Sequence, residues 1–501
     1  MGTIGGRDMI VRSIQMLLAG AVIATAPAAA QRHEHGGAIA AEQVAPDKAY
    51  ARGLHLLHNF EYDRALAAFV AARAADPASV MAAWGEAMTH NHPLWMQVDV
   101  DAGRAVLAKL GATSAQRHAK ARTEKEHLYL AAIEALYDGP TKIARDQAYN
   151  RAMEAMFARF PDDVDVRSFT ALSILGLAHN GREIPLYMRA AAMLEEAYPT
   201  NQQHPGVLHY LIHAYDDPDH APLGLRAARR YAAVAPDAGH AMHMTSHIYL
   251  ALGQWADVER ANVAAKKIVN DQRAAAGKGA NACGHYAEWL VYAQLQQGRD
   301  PAELVESCRQ QVIRAAAAGD GPTTGNSFGS WADMASRTAV ETGRAPAATP
   351  KLEEAFPLAR FWTAYAAMIA DGPQQTAARH TLAAAGKPLI AALARNQPDD
   401  TSTPRWVERA EAQSEALSAL AGGKTEQGLA MLRAAAEAER ALPVEFGPPA
   451  LPKPSSELLG DHLLKLGRKS EAAAAYRETL AAAPGRRRAL AGLQSTSGVT
   501  P

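Results

Sequence analysis

The sequence offers nothing that would select a partner by bulk electrostatics. Its 51 Lys and Arg stand against 52 Asp and Glu, a net charge of -1, with a pI of about 7.1. That leaves no basic field for nucleic acid or an anionic membrane surface, and no acidic field for a basic partner. Any partner is chosen by local chemistry. There are only 2 Cys in 501 residues, and no CxxC spacing, which removes both a thiolate metal module and a multi-disulfide scaffold. Aromatics make up 6% of the chain. The 48% apolar content is mostly alanine, which favours helices packed through small residues over sheets. After the N-terminal segment no run approaches 18 uninterrupted apolar residues, so no internal membrane span is expected. The phosphate-cradling GxxxxGK[ST] and the GxSxG elbow are also missing, so nucleotide-dependent and serine-nucleophile catalysis have no support. What the chain does hold is 19 His, and composition alone does not explain them.

Arg7 and Arg12 precede an apolar run from Ile14 to Ala26. Pro27 and the small residues Ala28-Ala29-Ala30 follow, ahead of Gln31. This is the layout of a cleavable secretory signal over residues 1–30. The expected location is periplasmic or secreted, with no membrane contact beyond the signal segment and no lipid anchor, since no cysteine follows the small-residue site. Such a compartment permits a disulfide. Residues 31–46 read as a flexible leader. Its Gln31-Arg32-His33 start fits two readings: an amine and a third-place His holding Cu(II) or Ni(II) in a square plane of nitrogens, or a tail whose glutamine cyclises and blocks the amine.

A period runs along the rest of the chain. Gly53, Tyr62, Ala65, Phe69, Ala72 and Pro77 punctuate one helix-turn-helix, and Leu459, Gly460, Gly467, Ala472, Tyr476 and Pro484 punctuate another. In both, a Gly lies twelve residues before an Ala, which lies four before an aromatic and twelve before a Pro. Small residues sit where two antiparallel helices touch, aromatics fill the gap to the next hairpin, and the proline ends the second helix. Further copies contain Leu211, Gly224, Leu225, Ala228 and Pro236, then Tyr249, Gly253, Trp255 and Ala265. Weaker ones run through Phe169–Pro199, His285–Cys308, Trp331–Arg344, Phe361–His380 and Val407–Ala438.

The pattern resembles the tetratricopeptide repeat (TPR) of about 34 residues, in an exported protein of bacterial type. The resemblance covers most of the mature chain. It implies an all-α, right-handed α-solenoid of helix hairpins with a concave groove as its working surface. Breaks in the period divide it: N-terminal repeats over 47–270, irregular helical repeats over 271–395, a linker over 396–406 and C-terminal repeats over 407–501. The Gly-rich stretches 271–284 and 319–327 read as loops.

The histidines follow this period. His209 and His213 form one HxxxH and His243 and His247 another, and corresponding members are 34 residues apart, as are His58 and His92. Residues four apart share a helix face about 5 to 6 Å apart, a spacing that chelates one metal ion. By the TPR resemblance both pairs occupy places on the first helix that line the groove. His58, His92, His240 and His285 fall on the same wall, with Glu288 and Tyr292 beside them. As a ligand set, His209, His213, His243 and His247 are all imidazole, which suits Zn or Cu, or Ni or Fe, and argues against Ca and Mg. As packing, the same residues are a hydrogen-bonded lining, or bind a peptide or small carboxylate. HExxH is absent, since Tyr210 and Met244 stand where it needs Glu. A hydrolytic reaction would need its acid or base elsewhere, with Glu288 and Asp216 the candidates. Asp216-Asp217 before Pro218 is equally a turn. His118, His127, His179, His380 and His462 read as packing residues, and His90-Asn91-His92-Pro93-Leu94-Trp95 as a loop folding toward the groove or a capped helix end.

Cys283 and Cys308 fall near each other in an antiparallel hairpin, so a disulfide there is reasonable. Buried free thiols are the alternative. Two functions remain open: an exported binding or scaffold protein taking a peptide, protein or small ligand in a His-rich groove, and a metal-dependent enzyme with a multi-His site.

Overall fold

The computed structural model describes residues 46–344, 356–370, 375–396 and 402–497. The expected signal segment, nearly all of the expected leader and positions 397–401 of the expected linker lie outside them. The described chain is all-α, with 23 helices and one two-residue antiparallel bridge, Asn91–His92 with Gln97–Val98. No described helix is long and apolar enough to cross a membrane. The contacts divide the chain into two units, one holding 46–252 and 260–280, the other 253–259 and 281–497.

In the N-terminal unit the helices are α1 (Pro46–His58), α2 (Tyr62–Ala75), α3 (Val80–Met88), α4 (Val100–Leu110), α5 (Ser114–His118), α6 (Glu124–Tyr137), α7 (Lys142–Arg159), α8 (Val164–Leu175), α9 (Ile184–Ala197), α10 (Pro205–Ala214), α11 (Ala221–Val234) and α12 (Gly239–Ala251). α13 (Trp255–Ala275) contributes its later residues. Each helix packs mainly on its sequence neighbours, the order of a solenoid of hairpins. The small residues act as the period requires. A Cβ on Gly53 would sit 2.8 Å from the Phe69 ring and one on Gly85 2.3 Å from it, so both helices close on Phe69 only because they carry hydrogen there. Thr113 and Thr123 start α5 and α6 as capping boxes, and Asp99 and Asp163 cap α4 and α8.

One feature departs from an open solenoid. α1 packs on α10, about 150 positions further along the chain. Around that contact Arg64 donates to the Asp237 carboxylate at 2.7 Å and Tyr231 to Asn59 Oδ1 at 2.7 Å, while the His240 backbone N–H donates to Glu61 at 3.3 Å. The α1–α2 turn has the 6→1 bond of a Schellman end, Glu61 N–H to Leu56 C=O at 3.0 Å. The left-handed position, glycine at Gly253, Gly298 and Gly467, is here Phe60 at φ 55°. A phenylalanine there costs on the order of 1 kcal/mol. Its ring is 1% exposed, and burying a ring of that size offsets the cost.

The C-terminal unit contains α14 (His285–Gln296), α15 (Ala302–Ala317), α16 (Gly321–Thr342), α17 (Pro357–Ile369), α18 (Gln375–Asn396), α19 (Ser402–Ala421), α20 (Thr425–Arg440), α21 (Ser455–Lys465), α22 (Lys469–Ala482) and α23 (Arg487–Thr496). Tyr476 lies between Gly460 and Gly492 as Phe69 lies between Gly53 and Gly85. Cys283 and Cys308 form a disulfide. The stretch 319–327, expected as a loop, mostly forms the start of α16. Asp320 caps it by accepting from Thr323 N–H, and Pro322 suits the first turn, which together outweigh the glycines. Ser402–Trp406, expected within the linker, is helical as well. Inside this unit Arg486 and Lys453 share Glu457. Burial raises the Glu457 carboxyl, but the two cations beside it outweigh that and hold it down to about 2.

Candidate metal centre

The histidine wall lies on α10 and α12, which pack together, and the α1–α2 turn covers it. His209, His213, His240, His243 and His247 are between 0% and 7% exposed. The sequence led to an expectation of imidazoles lining a concave groove; here these rings are buried, and the Phe60 ring centroid lies 4.3 Å from that of His209 and 5.7 Å from those of His213 and His240.

The four expected ligands do not form one quartet. Two sets are present. In the first, His209 Nε2 is 3.1 Å from His213 Nε2 and 3.2 Å from His240 Nε2, and the three atoms lie within 4.8 Å of one another. His209 Nδ1 is 2.6 Å from the His58 carbonyl, one of the orphan acceptors at the end of α1. A carbonyl only accepts, so Nδ1 carries the proton and Nε2 keeps a lone pair. That single lone pair faces two other ring nitrogens, and it can accept from only one. Burial holds the His209 imidazole down to about 3, so the ring is neutral.

In the second set His243 Nε2 and His247 Nε2 are 3.0 Å apart. His243 Nδ1 is 2.7 Å from Asn262 Oδ1, and Asn262 Nδ2 donates to Ser246 Oγ at 3.0 Å. Ser246 spends its own proton on the His243 carbonyl at 2.6 Å, so it accepts from the amide and fixes which way the amide points. His247 Nδ1 is 2.5 Å from Asp216 Oδ2. Both Nδ1 atoms therefore face acceptors, and the two Nε2 atoms face each other, an arrangement in which both rings can serve one ion. Two imidazole nitrogens bound to one ion at about 2.0–2.1 Å stand about 3.0–3.4 Å apart. Asn262 and Asp216 supply the outer hydrogen bonds that aim such ligands.

His58 behaves differently. Its Nε2 and the Nε2 of His204 both reach Asp165 Oδ1, at 2.9 and 3.0 Å. His204 Nδ1 accepts from Val207 N–H at 3.3 Å as it caps α10, and His58 Nδ1 pairs with the Tyr210 hydroxyl at 3.0 Å. Each of the four ring nitrogens here has a hydrogen-bond partner, and with Asp165 the two rings form a further group whose ligand atoms lie within 4.8 Å of one another. Burial alone would raise the Asp165 carboxyl, but the hydrogen bonds from His204 and His58 outweigh it and hold it well below the usual carboxylate range. Burial pushes His58 down to about 4.

His92, expected to share a helical place with His58, lies past the end of α3 in the short bridge. Its Nε2 pairs with the Thr89 carbonyl at 3.1 Å and its ring stacks on Tyr62 at 3.9 Å. Asp216, an acid or base candidate, is committed to orienting His247. His285 and Glu288 are in the first turn of α14 in the C-terminal unit, His285 edge-on to Trp289. Tyr292 is buried in that unit beneath Trp255, with its hydroxyl 3.4 Å from Arg486. Of the packing histidines, His179 pairs with Asp146 at 2.8 Å. Phe60, Asp165, His204 and Asn262 were not anticipated; only His204, in Asn201-Gln202-Gln203-His204-Pro205, carries a local signal, as a polar residue ahead of a first-turn proline. No family model matches the chain, and no curated protein is significantly similar to it.

Proposed function

We propose that the protein is a transition-metal protein whose reactive centre is the buried histidine wall of α10 and α12, carried on tetratricopeptide-like hairpins and exported to the periplasm or the exterior. The observation behind this reading is the clustering of buried imidazole nitrogens, with the Nε2 atoms of His243 and His247 3.0 Å apart and both Nδ1 atoms hydrogen-bonded elsewhere. Burial of the same rings disfavours the peptide-groove alternative, because a side chain this far from solvent has little surface to offer a peptide.

Copper is favoured over zinc. In the first set His209 is the close neighbour of both other rings, and the His213 and His240 centroids are 6.5 Å apart, against 4.8 and 5.0 Å from each to His209. On the centroids the three rings are disposed like a T, with His213 and His240 furthest apart. Rings so disposed would suit the square plane that Cu(II) prefers better than the tetrahedron of zinc. An ion there would polarise a bound oxygen or exchange an electron with it. The protein's own part is to exclude water with Phe60 and to hold the ring tautomers through His58, Asn262 and Asp216.

Elemental analysis of the purified full chain tests the reading. Near-stoichiometric copper, or its uptake after Cu(II) addition and gel filtration, is expected. A chain that carries no transition metal and retains none after addition would refute it.

A further inference from the structure

Two tyrosines pack against His209, and their hydroxyl partners differ in kind. The Tyr210 ring centroid is 5.5 Å and the Tyr231 centroid 5.2 Å from that of His209, and both rings are fully buried. Tyr231 donates to Asn59 Oδ1, a neutral amide oxygen that cannot take a proton. The Tyr210 hydroxyl instead meets His58 Nδ1 at 3.0 Å. Taking the proposed metal reading as a premise, we infer that Tyr210 is a redox-active side chain serving the wall, a reversible one-electron donor with His58 as its proton acceptor and Asp165 as the counter-charge.

The hydrogen bonds fix the direction in which the proton moves. Asp165 Oδ1 lies 2.9 Å from His58 Nε2 and 3.0 Å from His204 Nε2. A carboxylate only accepts, so His58 Nε2 carries the ring proton and Nδ1 keeps a lone pair for the Tyr210 O–H. At 3.0 Å that base is within reach of the phenol proton. When Tyr210 gives up one electron, its O–H bond breaks and the proton passes to His58 Nδ1. A neutral tyrosyl radical then faces an imidazolium that still donates to Asp165. The electron goes to a strong one-electron oxidant, the class that a transition ion reacting with peroxide supplies. Re-reduction returns the proton along the same bond.

Charge separates the two tyrosines. The Tyr210–His58–Asp165 chain starts with the single negative charge of Asp165 and ends neutral, so oxidation leaves no net charge in a buried site, where an unbalanced one is expensive. On Tyr231 the same loss would leave a positive charge beside an amide. A row of rings also leads away from this chain. The Tyr210 and His58 centroids are 5.8 Å apart, Phe169 stacks on His58 at 4.5 Å, Trp84 lies 5.1 Å from Phe169, and Tyr129 lies 4.7 Å from Trp84. Tyr129 sits beneath Lys125, whose side chain is 37% exposed. Trp84 and Tyr129 are themselves oxidisable, so the row is a route by which a reductant outside can refill Tyr210.

The test oxidises the metal-free full-length protein with ruthenium(III) tris(bipyridine), generated by a light flash in the presence of persulfate. Radicals are followed by electron paramagnetic resonance in samples frozen at increasing delays. A tyrosyl signal that outlives the exposed radicals is expected, absent in Tyr210→Phe, several-fold shorter-lived in His58→Gln and retained in Tyr231→Phe. No long-lived tyrosyl radical in the unmodified chain, its persistence in Tyr210→Phe, or its loss in Tyr231→Phe would overturn the assignment. An unchanged lifetime in His58→Gln would overturn the proton acceptor. High-field spectra of the unmodified protein read whether the radical oxygen accepts a hydrogen bond, as it must if His58 holds the proton, and a radical without that bond would overturn the chain. This readout needs no variant, so a substitution that fails to fold does not blunt the test. Because the flash oxidant takes the place of the metal, a failure of the radical and a failure of copper uptake are separate results.

Discussion

Replacing Asp216 by Asn changes one atom in a side chain that touches His247 Nδ1 at 2.5 Å and is 4% exposed. The amide keeps the shape and can still accept through Oδ1, but it loses the charge that raises the basicity of the ring. Mutating an outer partner of a metal-binding histidine costs about 10- to 100-fold in metal affinity. At about 1.4 kcal/mol per tenfold, that is about 1.4–2.8 kcal/mol of metal-linked stability. For a unit of this size each kcal/mol moves the melting temperature by about 2–4 °C. Copper-loaded Asp216→Asn should therefore melt about 3–11 °C below copper-loaded wild type, while the two apo proteins should differ by less than about 1 kcal/mol. Differential scanning calorimetry with and without Cu(II), paired with chelator competition for affinity, reads both numbers. Equal shifts in apo and loaded protein would place Asp216 in packing alone, and an unchanged affinity would refute the assignment of His247 as a ligand.

Three further outcomes are expected. His58 and His209 are held neutral by burial, down to about 4 and about 3 against 6.5 in the unfolded chain. Their contribution is complete above about pH 6.5 and is lost as pH falls toward 4, where the unfolded chain takes up protons the fold refuses. The urea midpoint of the apo protein should fall through that window, less steeply in His58→Gln; a flat profile to pH 4.5 would contradict it. Gly85→Ala places a methyl 2.3 Å from the Phe69 ring and should cost about 1–3 kcal/mol in chemical denaturation with copper binding unchanged; a neutral effect would show that the two helices can part freely. The Cys283–Cys308 disulfide closes a separation of 25 residues, so Cys308→Ala should lose about 3 kcal/mol in chemical denaturation, and intact unreduced protein should take up no alkylating reagent.

Much of the repeat architecture was legible because its signals are local. Gly53, Phe69, Gly460 and Tyr476 meet their neighbours within a hairpin or the next one, so spacing alone exposes them. The HxxxH pairs were legible for the same reason: a four-residue interval and a 34-residue register are both short-range statements. Their grouping was not. Which ring faces which depends on α1 crossing onto α10, and no interval in the sequence encodes a contact 150 positions long. The same crossing explains why His58 joins Asp165 and His204, and why Phe60 took a place where other hairpins use glycine. His92 misled because a shared interval of 34 matters only while both residues stay helical, and α3 stops at Met88.

The contact of α1 with α10 also sets an order of events. A chain emerges N-terminus first, so the hairpin that covers the histidine wall exists long before the wall does, and it must wait for about 150 further residues before it can dock. Closing so long a loop is slow compared with forming the hairpins between. During that interval α10 and α12 can assemble with their ring nitrogens still open to solvent. The first hairpin is thus the last piece placed, and under the proposed function a metal would enter most readily before that placement. Copper supplied during refolding should load faster than copper offered to the finished protein.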